Sequence, residues 1–391
     1  VASDPSRSVA GTLLAVVCAG AALALCASPG LAGTWVYDDL RMLENPSYDS
    51  LADALRVWGQ TSGDYLENAG APDARGAETY RPLTMMTLVA THAISPTPLA
   101  HHLVGAVLHF VTALLLYGLL LTLTRGVVGA RCAALGAVLF LLHPAAVEAY
   151  VWINGRSDLV AGAMCAGTLL WTRGQRRTRL GKGARALVAF LLAFGACSAK
   201  ETASLAVLGG WLVFVLGEPP GRQRWLEPGA ALLGAMAYGA TWFTLGMGEV
   251  EHFGHAEPLW ADQGIRVFAL KQLFLYAGAM GSFRAAPMQS LAWLSQRPLT
   301  PSEWFFGGAF LLGLVVAVIR RRYVPAVFLL VAIGSWLPTV VISRALWFGM
   351  DRYLYMPLIL TLSACVGPAA EALAEARPSM RKLAFGAWVL V

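Results

Sequence analysis

Apolar runs about as long as a bilayer-spanning helix recur along this chain, and no other feature limits its fold so sharply. They fall near residues 8–28, 101–123, 130–147, 158–172, 185–198, 203–217, 229–247, 303–319, 323–342 and 356–373. A chain of 391 residues that is 57% hydrophobic and 13% charged lacks the polar surface of a water-soluble domain. In hydrocarbon every backbone N–H and C=O needs a partner inside the protein, which leaves helices or a closed barrel. The runs do not alternate polar and apolar in ten-residue segments, so the expected fold is all-α, a polytopic helical membrane protein.

Orientation follows from charge. With the N-terminus in the cytoplasm and each run crossing once, the inner segments are the N-terminus, 124–131, "TRGQRRTRLGKGAR" (172–185), 218–228, "RRR" (320–322) and 371–382. They hold 17 of the 29 Lys and Arg but five of the 23 acids, which leaves +12 inside and −6 outside, as the positive-inside rule requires. On this count "IRVFALKQLFLYAGAMG", within 264–302, begins and ends outside. It reads as an interfacial or re-entrant helix, with a hairpin of two spans as the alternative.

The first run is read as a span and not as a signal peptide, being longer than a usual signal core, although Arg7 precedes it and "ASPGLAG" follows. Cys18, Cys26, Cys132, Cys165, Cys197 and Cys365 lie in or beside apolar runs without metal-like spacing and read as small hydrophobes. "KLAFGAWVLV" stops partway into another apolar run, so the chain is expected to continue beyond residue 391. Without internal repeats or a Gly/Ser linker, residues 1–391 are expected to form one membrane domain.

The polar residues are concentrated on the outer side. The first external loop, 29–100, opens with "GTWVYDDLRMLENP" from Gly33 to Pro46, where the adjacent acids Asp38 and Asp39 stand just past an apolar run. It continues with amphipathic "LADALRVWGQ" and with "ETYRPLTMMTLVATHAI", which fit two helices lying on the membrane surface. Further on, "LLHPAAVEAYVWINGRSDLV" gathers His143, Glu148, Asn154, Arg156 and Asp158 at one membrane re-entry, "CSAKETAS" places Lys200 beside Glu201, and "ISRALWFGMDRYLYMP" brings Arg344, Asp351, Arg352, Tyr353 and Tyr355. Ionisable groups at membrane depth are tolerated only where they pair or line a wet cavity, so these sets are candidates for function.

Each has a blander reading. Asp38 and Asp39 read also as solvated loop acids, Glu148 with Arg156 and Asp158 as an ion cluster that fixes a turn, and Lys200 with Glu201 as a local pair. His102 and His109 read first as packing histidines. Trp35, Trp152, Trp304 and Trp347 read as interfacial anchors. His252 and His255 lie among Glu249, Glu251 and Glu257 but on a polar loop, which argues against a metal site. No cofactor is firmly implied, a divalent cation is left open, and no nucleic-acid partner is expected.

Acids and bases together on the outer face suit glycosyl transfer from a sugar carried on a polyprenyl phosphate, whose lipid stays in the bilayer while its phosphate sits at the surface. A carboxylate takes the proton of the attacking hydroxyl, while Arg and Lys oppose the charge that grows on the leaving phosphate.

In order, "YDDLRMLENP", "TYRPLTMMT", "PLAHHLVGAVLHF", "LFLLHPAAVEAYVWINGRSDLVAG", "SAKETAS" and "MDRYLYMP" resemble the membrane domain of the TMTC-type O-mannosyltransferases and their bacterial relatives, within the GT-C superfamily of polytopic glycosyltransferases. The resemblance runs from about residue 33 to residue 360. It implies a GT-C bundle of about 10–12 transmembrane helices and an inverting transfer of a sugar, mannose or another hexose, from a dolichyl or polyprenyl phosphate to an acceptor hydroxyl, with protein Ser/Thr the acceptor expected. The family's catalytic acid lies in the first external loop, which maps onto Asp38 with Asp39 beside it. Candidates for the donor phosphate and sugar are Arg81, Arg156, Lys200, Arg352, Tyr80, Glu148, Asp158 and His102. Against the family pattern, "HLVG" with Gly105 replaces "HLVN", "AAVEAY" replaces "HTEAV", "KETA" replaces "KEQG" and "DRYLY" replaces "ERVLY". The TPR repeats usual in the family are expected beyond this sequence. Richness in Ala, Gly and Arg points to a high-GC bacterium, hence to an inner-membrane enzyme facing the periplasm with an undecaprenyl donor; in a eukaryote the compartment would be the endoplasmic reticulum. The competing expectations are a transferase acting on a glycolipid, a polyprenyl-linked lipid flippase, and a non-catalytic scaffold.

Overall fold

The computed structural model describes residues 16–17, 19–21, 33, 50–61, 79–173, 180–217, 225–245, 263–282, 289–290, 298–346, 348–349, 351–376 and 379. These are almost wholly helical, apart from loops and one two-residue antiparallel pair, β1 Gln289–Ser290 with β2 Phe348–Gly349. The long loop supplies α1 Asp53–Arg56, continued by a 3-10 turn Val57–Gly59, and α2 Pro82–Ile94. The bundle follows as α3 Pro98–Leu123, α4 Gly126–Leu142, the short α5 Val147–Val151, α6 Arg156–Arg173, α7 Lys182–Ala199, α8 Ala203–Gly217 and α9 Leu226–Thr244. It closes with α10 Gln263–Ser282, α11 Pro301–Ile319, α12 Tyr323–Leu346 and α13 Tyr355–Glu375.

Every apolar run expected from 101–123 onward coincides with a helix, so the all-α polytopic membrane fold stands; run 8–28 lies largely outside the described residues. Among the described residues α3, α7, α11 and α13 are long and apolar enough to cross a bilayer alone. Helix α4 and the segment Pro144–Val151 together also pass by length and composition, as a broken span or a re-entrant loop bent by 54°. Where the sequence allowed an interfacial helix or a two-span hairpin, the apolar stretch within 264–302 forms one helix, α10. It lies antiparallel along α11, with Gly278 beside Glu303 and Phe274 beside Gly307.

Helix starts are set locally. Pro occupies the first turn of α2, α3 and α11, where its missing N–H costs nothing. Thr300 and Glu303 cap α11 reciprocally: Glu303 N–H donates to Thr300 Oγ1 at 3.3 Å and Thr300 N–H to Glu303 Oε2 at 2.7 Å. Pro144 cannot continue α4, and Ala145 N–H donates to His143 Nδ1 at 3.1 Å, which caps the new turn as the chain changes direction.

Helix α6 is the centre of the bundle, packing on α2, α3, α7, α8, α9 and α13. Lipid tails are as apolar as Leu, so helices in a bilayer associate through close packing, which small residues allow. Gly162 of α6 admits the buried ring of Tyr355; a Cβ there would lie 2.5 Å from Tyr355 Cε1. Helices α7 and α9 run parallel, and Gly234 brings their backbones into contact, because a Cβ on it would stand 2.4 Å from the Phe190 carbonyl oxygen. Gly239, one turn on in the same helix, has no atom within 4 Å of its Cβ position. Gly234→Ala is therefore expected to destabilise the folded protein by about 1–3 kcal/mol, while Gly239→Ala is neutral or stabilises by up to about 1 kcal/mol. Thermal unfolding of the two variants in detergent would show it; equal melting temperatures would contradict the close approach.

Candidate active site at one end of the bundle

The charged motifs assigned to the outer side converge at a single end of the bundle. Arg81 stands at the start of α2, His101 and His102 in the first turn of α3, Arg156 and Asp158 in the first turn of α6, Lys200 and Glu201 in the turn from α7 to α8, and Tyr353 in the 3-10 turn Asp351–Leu354 that leads into α13. The opposite end carries Arg173, the buried Arg185–Glu227 pair at 3.0 Å, and Arg320, Arg321 and Arg322.

Local sequence aims each group. Pro82 disfavours the helical conformation at the preceding residue, and Arg81 lies outside the helical region at φ −129°, ψ 58°. Lys200 ends α7 at φ −159°, ψ 130°; successive side chains of extended backbone point to opposite sides. Lys200 and Glu201 consequently diverge, and the local pair considered from sequence does not form. Lys200 Nζ donates to Asp158 Oδ1, 42 residues away, and lies 5.0 Å from the centre of the Tyr353 ring. Glu201 accepts from Arg81, 120 residues away, with Nε 3.1 Å from both carboxylate oxygens and Nη2 2.9 Å from Oε2. Burial works against the charge on Arg81, but the Glu201 carboxylate outweighs it and holds the guanidinium above its ordinary range, with Asp158 adding to the effect.

Arg156 differs from both. It is 1% exposed, donates from Nη2 to the His101 carbonyl at 2.9 Å and from Nη1 to Thr91 Oγ1 at 3.4 Å, and has no carboxylate at salt-bridge distance among the described residues. A buried guanidinium without a counter-charge is costly, which marks this spot as fitted to an anion. His102, also buried, lies against the backbone of Val151 and of Gly33, the first residue of the Asp38 stretch, and neither ring nitrogen makes a hydrogen bond with the described residues.

Tyr80 has a bracing position. Its hydroxyl donates to the Trp58 carbonyl at 2.9 Å, and its own carbonyl accepts from Tyr238 Oη at 2.7 Å, which ties the loop helices to α9 beside Arg81. Glu148 is half-buried on α5, at the break between α4 and α6. The side chain of Arg352, both catalytic candidates Asp38 and Asp39, and the His252–His255 loop lie outside the described residues. Among the described residues no group of three His, Cys, Asp or Glu side chains is placed to hold a metal ion.

The sequence set Glu201 beside Lys200 among the candidates but did not reveal its pairing with Arg81. His109 is the packing histidine that the sequence indicated, and the brace it forms with Tyr355 was not foreseen. His109 Nε2 faces the Leu141 carbonyl at 3.0 Å and Nδ1 faces Tyr355 Oη at 2.8 Å, so the ring donates to the former and accepts from the latter. This joins α3 and α4 to the start of α13, two residues after Tyr353. The signal available was "HLVGAVLH", which sets His102 and His109 two turns apart on one helix face.

No family model matches the chain, and no solved structure does. Curated relatives do match. Protein O-mannosyl-transferase Tmtc1 of Drosophila melanogaster is 33% identical over 196 residues, covering 49% of this chain and 21% of that protein. Protein O-mannosyl-transferase TMTC1 of Mus musculus is 30% identical over 229 residues, covering 55% and 23%. The Homo sapiens TMTC1 protein is 32% identical over 151 residues, covering 38% and 16%. The chain resembles the TMTC-type O-mannosyltransferases. It spans about a fifth of the length of the curated relatives it matches.

The two ion pairs differ in weight. Arg81 and Glu201 side chains are 27% and 31% exposed, and pairs so placed contribute about 0–1 kcal/mol. Lys200 and Asp158 are 8% and 5% exposed, and removing one partner of such a pair costs about 3–5 kcal/mol. Asp158→Ala should therefore lower the unfolding temperature far more than Glu201→Ala, with Lys200→Ala/Asp158→Ala recovering much of the loss. A double variant no better than Asp158→Ala would contradict the pairing.

Proposed function

We propose that this chain is the catalytic membrane region, residues 1–391, of a glycosyltransferase that moves a hexose, mannose by likeness to its relatives, from a polyprenyl phosphate to a protein Ser/Thr hydroxyl on the outer face of the membrane, with inversion. The observation that carries the reading is the buried Arg156, without a carboxylate partner among the described residues and at the same end of a membrane bundle as the Arg81–Glu201 and Lys200–Asp158 pairs. The names of the relatives supply the reaction class.

In this mechanism Arg156 meets the donor phosphate, and Arg81 and Lys200 add positive potential where the leaving group gains charge. Asp38 takes the proton of the acceptor hydroxyl as its oxygen attacks the anomeric carbon from the side opposite the phosphate, and Asp39 supports it. Asp158 aims Lys200 through their ion pair. Arg352 belongs to the same turn as Tyr353, which lies over Lys200, and Glu148 lies at the helix break on the same end. Proximity supports the assignment of Asp38: His102 touches the Gly33 backbone, and the five residues from Gly33 to Asp38 span at most about 18 Å even when fully extended. A lipid-anchored donor suits a site at the end of the bundle, where the phosphate lies at the interface and the prenyl chain remains among lipids. Richness in Ala, Gly and Arg, as in a high-GC bacterium, supports a periplasmic face and an undecaprenyl carrier.

Asp38→Asn should lower transfer by about two to four orders of magnitude with donor binding and melting temperature unchanged, because the amide keeps the shape and loses the basic oxygen. The assay is transfer of labelled mannose from polyprenyl phosphomannose to a Ser/Thr peptide by the protein in liposomes. Near-normal turnover of Asp38→Asn, with loss in Asp39→Asn, would move the base to Asp39. Label recovered in lipid and none in peptide would make the acceptor a glycolipid.

A further inference from the structure

Among the described residues Lys200, Arg156 and Arg81 stand at this end of the bundle, and their commitments differ. Lys200 is tied to a buried acid, and Arg156 is fixed by a backbone carbonyl and Thr91. Arg81 is the one whose acid partner reaches solvent, and it holds that partner through a two-pronged contact of 2.9–3.1 Å that a phosphate accepts equally well. The backbone of Glu201 is pinned, since Ser204 N–H and Ser204 Oγ–H both donate to its carbonyl, at 3.1 and 2.7 Å. Only side-chain torsions have to change for the carboxylate to leave Arg81. Arg81 also feels the field of Asp158, so an anion that took the place of Glu201 would share that field with the Lys200 pair.

The proposed reaction changes the charge at this spot. The bond between the anomeric carbon and the phosphate oxygen breaks, its electron pair stays on that oxygen, and the acceptor oxygen bonds to the carbon as its proton passes to Asp38. A singly charged phosphodiester thereby becomes a monoester, with a second ionisation near pH 6 and a charge approaching −2 at neutral pH. One guanidinium at Arg156 matches the donor, whereas the product calls for another.

We propose that Glu201 is an exchangeable counter-ion of Arg81: it holds the guanidinium while the singly charged donor is bound, and yields it to the doubly charged polyprenyl phosphate that transfer creates. By returning to Arg81 afterwards, Glu201 competes with the product and helps to expel it. This inference rests on the polyprenyl-phosphate reading above.

The test uses the full chain in lipid nanodiscs at pH 7.5, with undecaprenyl phosphate and its monomethyl ester as doubly and singly charged probes. Glu201→Gln should bind undecaprenyl phosphate about tenfold tighter, the scale of one charge-assisted hydrogen bond, with a much smaller change for the methyl ester. Arg81→Gln/Glu201→Gln should lose that gain, and Glu201→Asp should fall between wild type and Glu201→Gln. Turnover by Glu201→Gln should show stronger inhibition by added undecaprenyl phosphate. The proposal is overturned if Glu201→Gln weakens binding of undecaprenyl phosphate, shifts both probes equally, or keeps its gain without Arg81. Should wild type bind neither probe, the polyprenyl-phosphate reading itself fails; binding of both with no selective gain sinks the role of Glu201 alone.

Discussion

The Lys200–Asp158 ion pair is the contact on which the polar end of this bundle depends. Both side chains are buried, where each charge needs compensation that the other helps to supply, and together they clamp the start of α6 to the turn between α7 and α8. Since α6 packs on most of its neighbours, that clamp sets the height at which Arg156 enters the bundle and the direction in which Glu201 leaves the turn. Tyr353 lies over the same ammonium, which brings the turn before α13 into register with it. A hydrophobic pair in their place would hold the helices equally well and would leave no reason for further charges nearby.

The rest of the bundle obeys different physics. Its middle is apolar and closely packed, with Ala and Gly at helix contacts, and its hydrogen bonds are mostly Thr and Ser hydroxyls returning to carbonyls three or four residues back. Such a core supplies rigidity but no chemistry. The polar network at one end uses that rigidity, since Arg156, Asp158, Lys200 and Tyr353 sit at helix ends whose axes are already fixed. A donor with a prenyl tail and a charged head is matched to this division, apolar along the bundle and ionic at its end.

Much of this was legible in the sequence, for identifiable reasons. Bilayer thickness imposes a length on each apolar run, so the helices could be placed without knowing their neighbours, and Pro82, Pro98, Pro144 and Pro301 marked where they begin or break. That the charged motifs share an end followed from the alternation of crossings. Partners were a different matter. Adjacent Lys200 and Glu201 invited pairing with each other, yet the extended conformation of Lys200 at the end of α7 and the turn that follows sent them to an acid and a base 42 and 120 residues away. Arg156 is held by the carbonyl of His101, a group that every residue carries and that no motif can announce. Tyr80 stood in a motif beside Arg81, but its hydroxyl is spent on the Trp58 carbonyl, a contact fixed only once α1 and α2 have packed.

The central claim is that Arg156 is the fixed cation to which a lipid-linked phosphate comes. An electron cryomicroscopy structure of the full chain in nanodiscs with undecaprenyl phosphate tests it directly. The account predicts the phosphate oxygens at hydrogen-bond distance from Arg156 and Arg81, with Asp38 facing the position of the missing sugar and the prenyl chain running along the outside of the bundle. A phosphate bound at the opposite end, among Arg173 and Arg320 to Arg322, or bound at this end with Arg156 untouched, would contradict it.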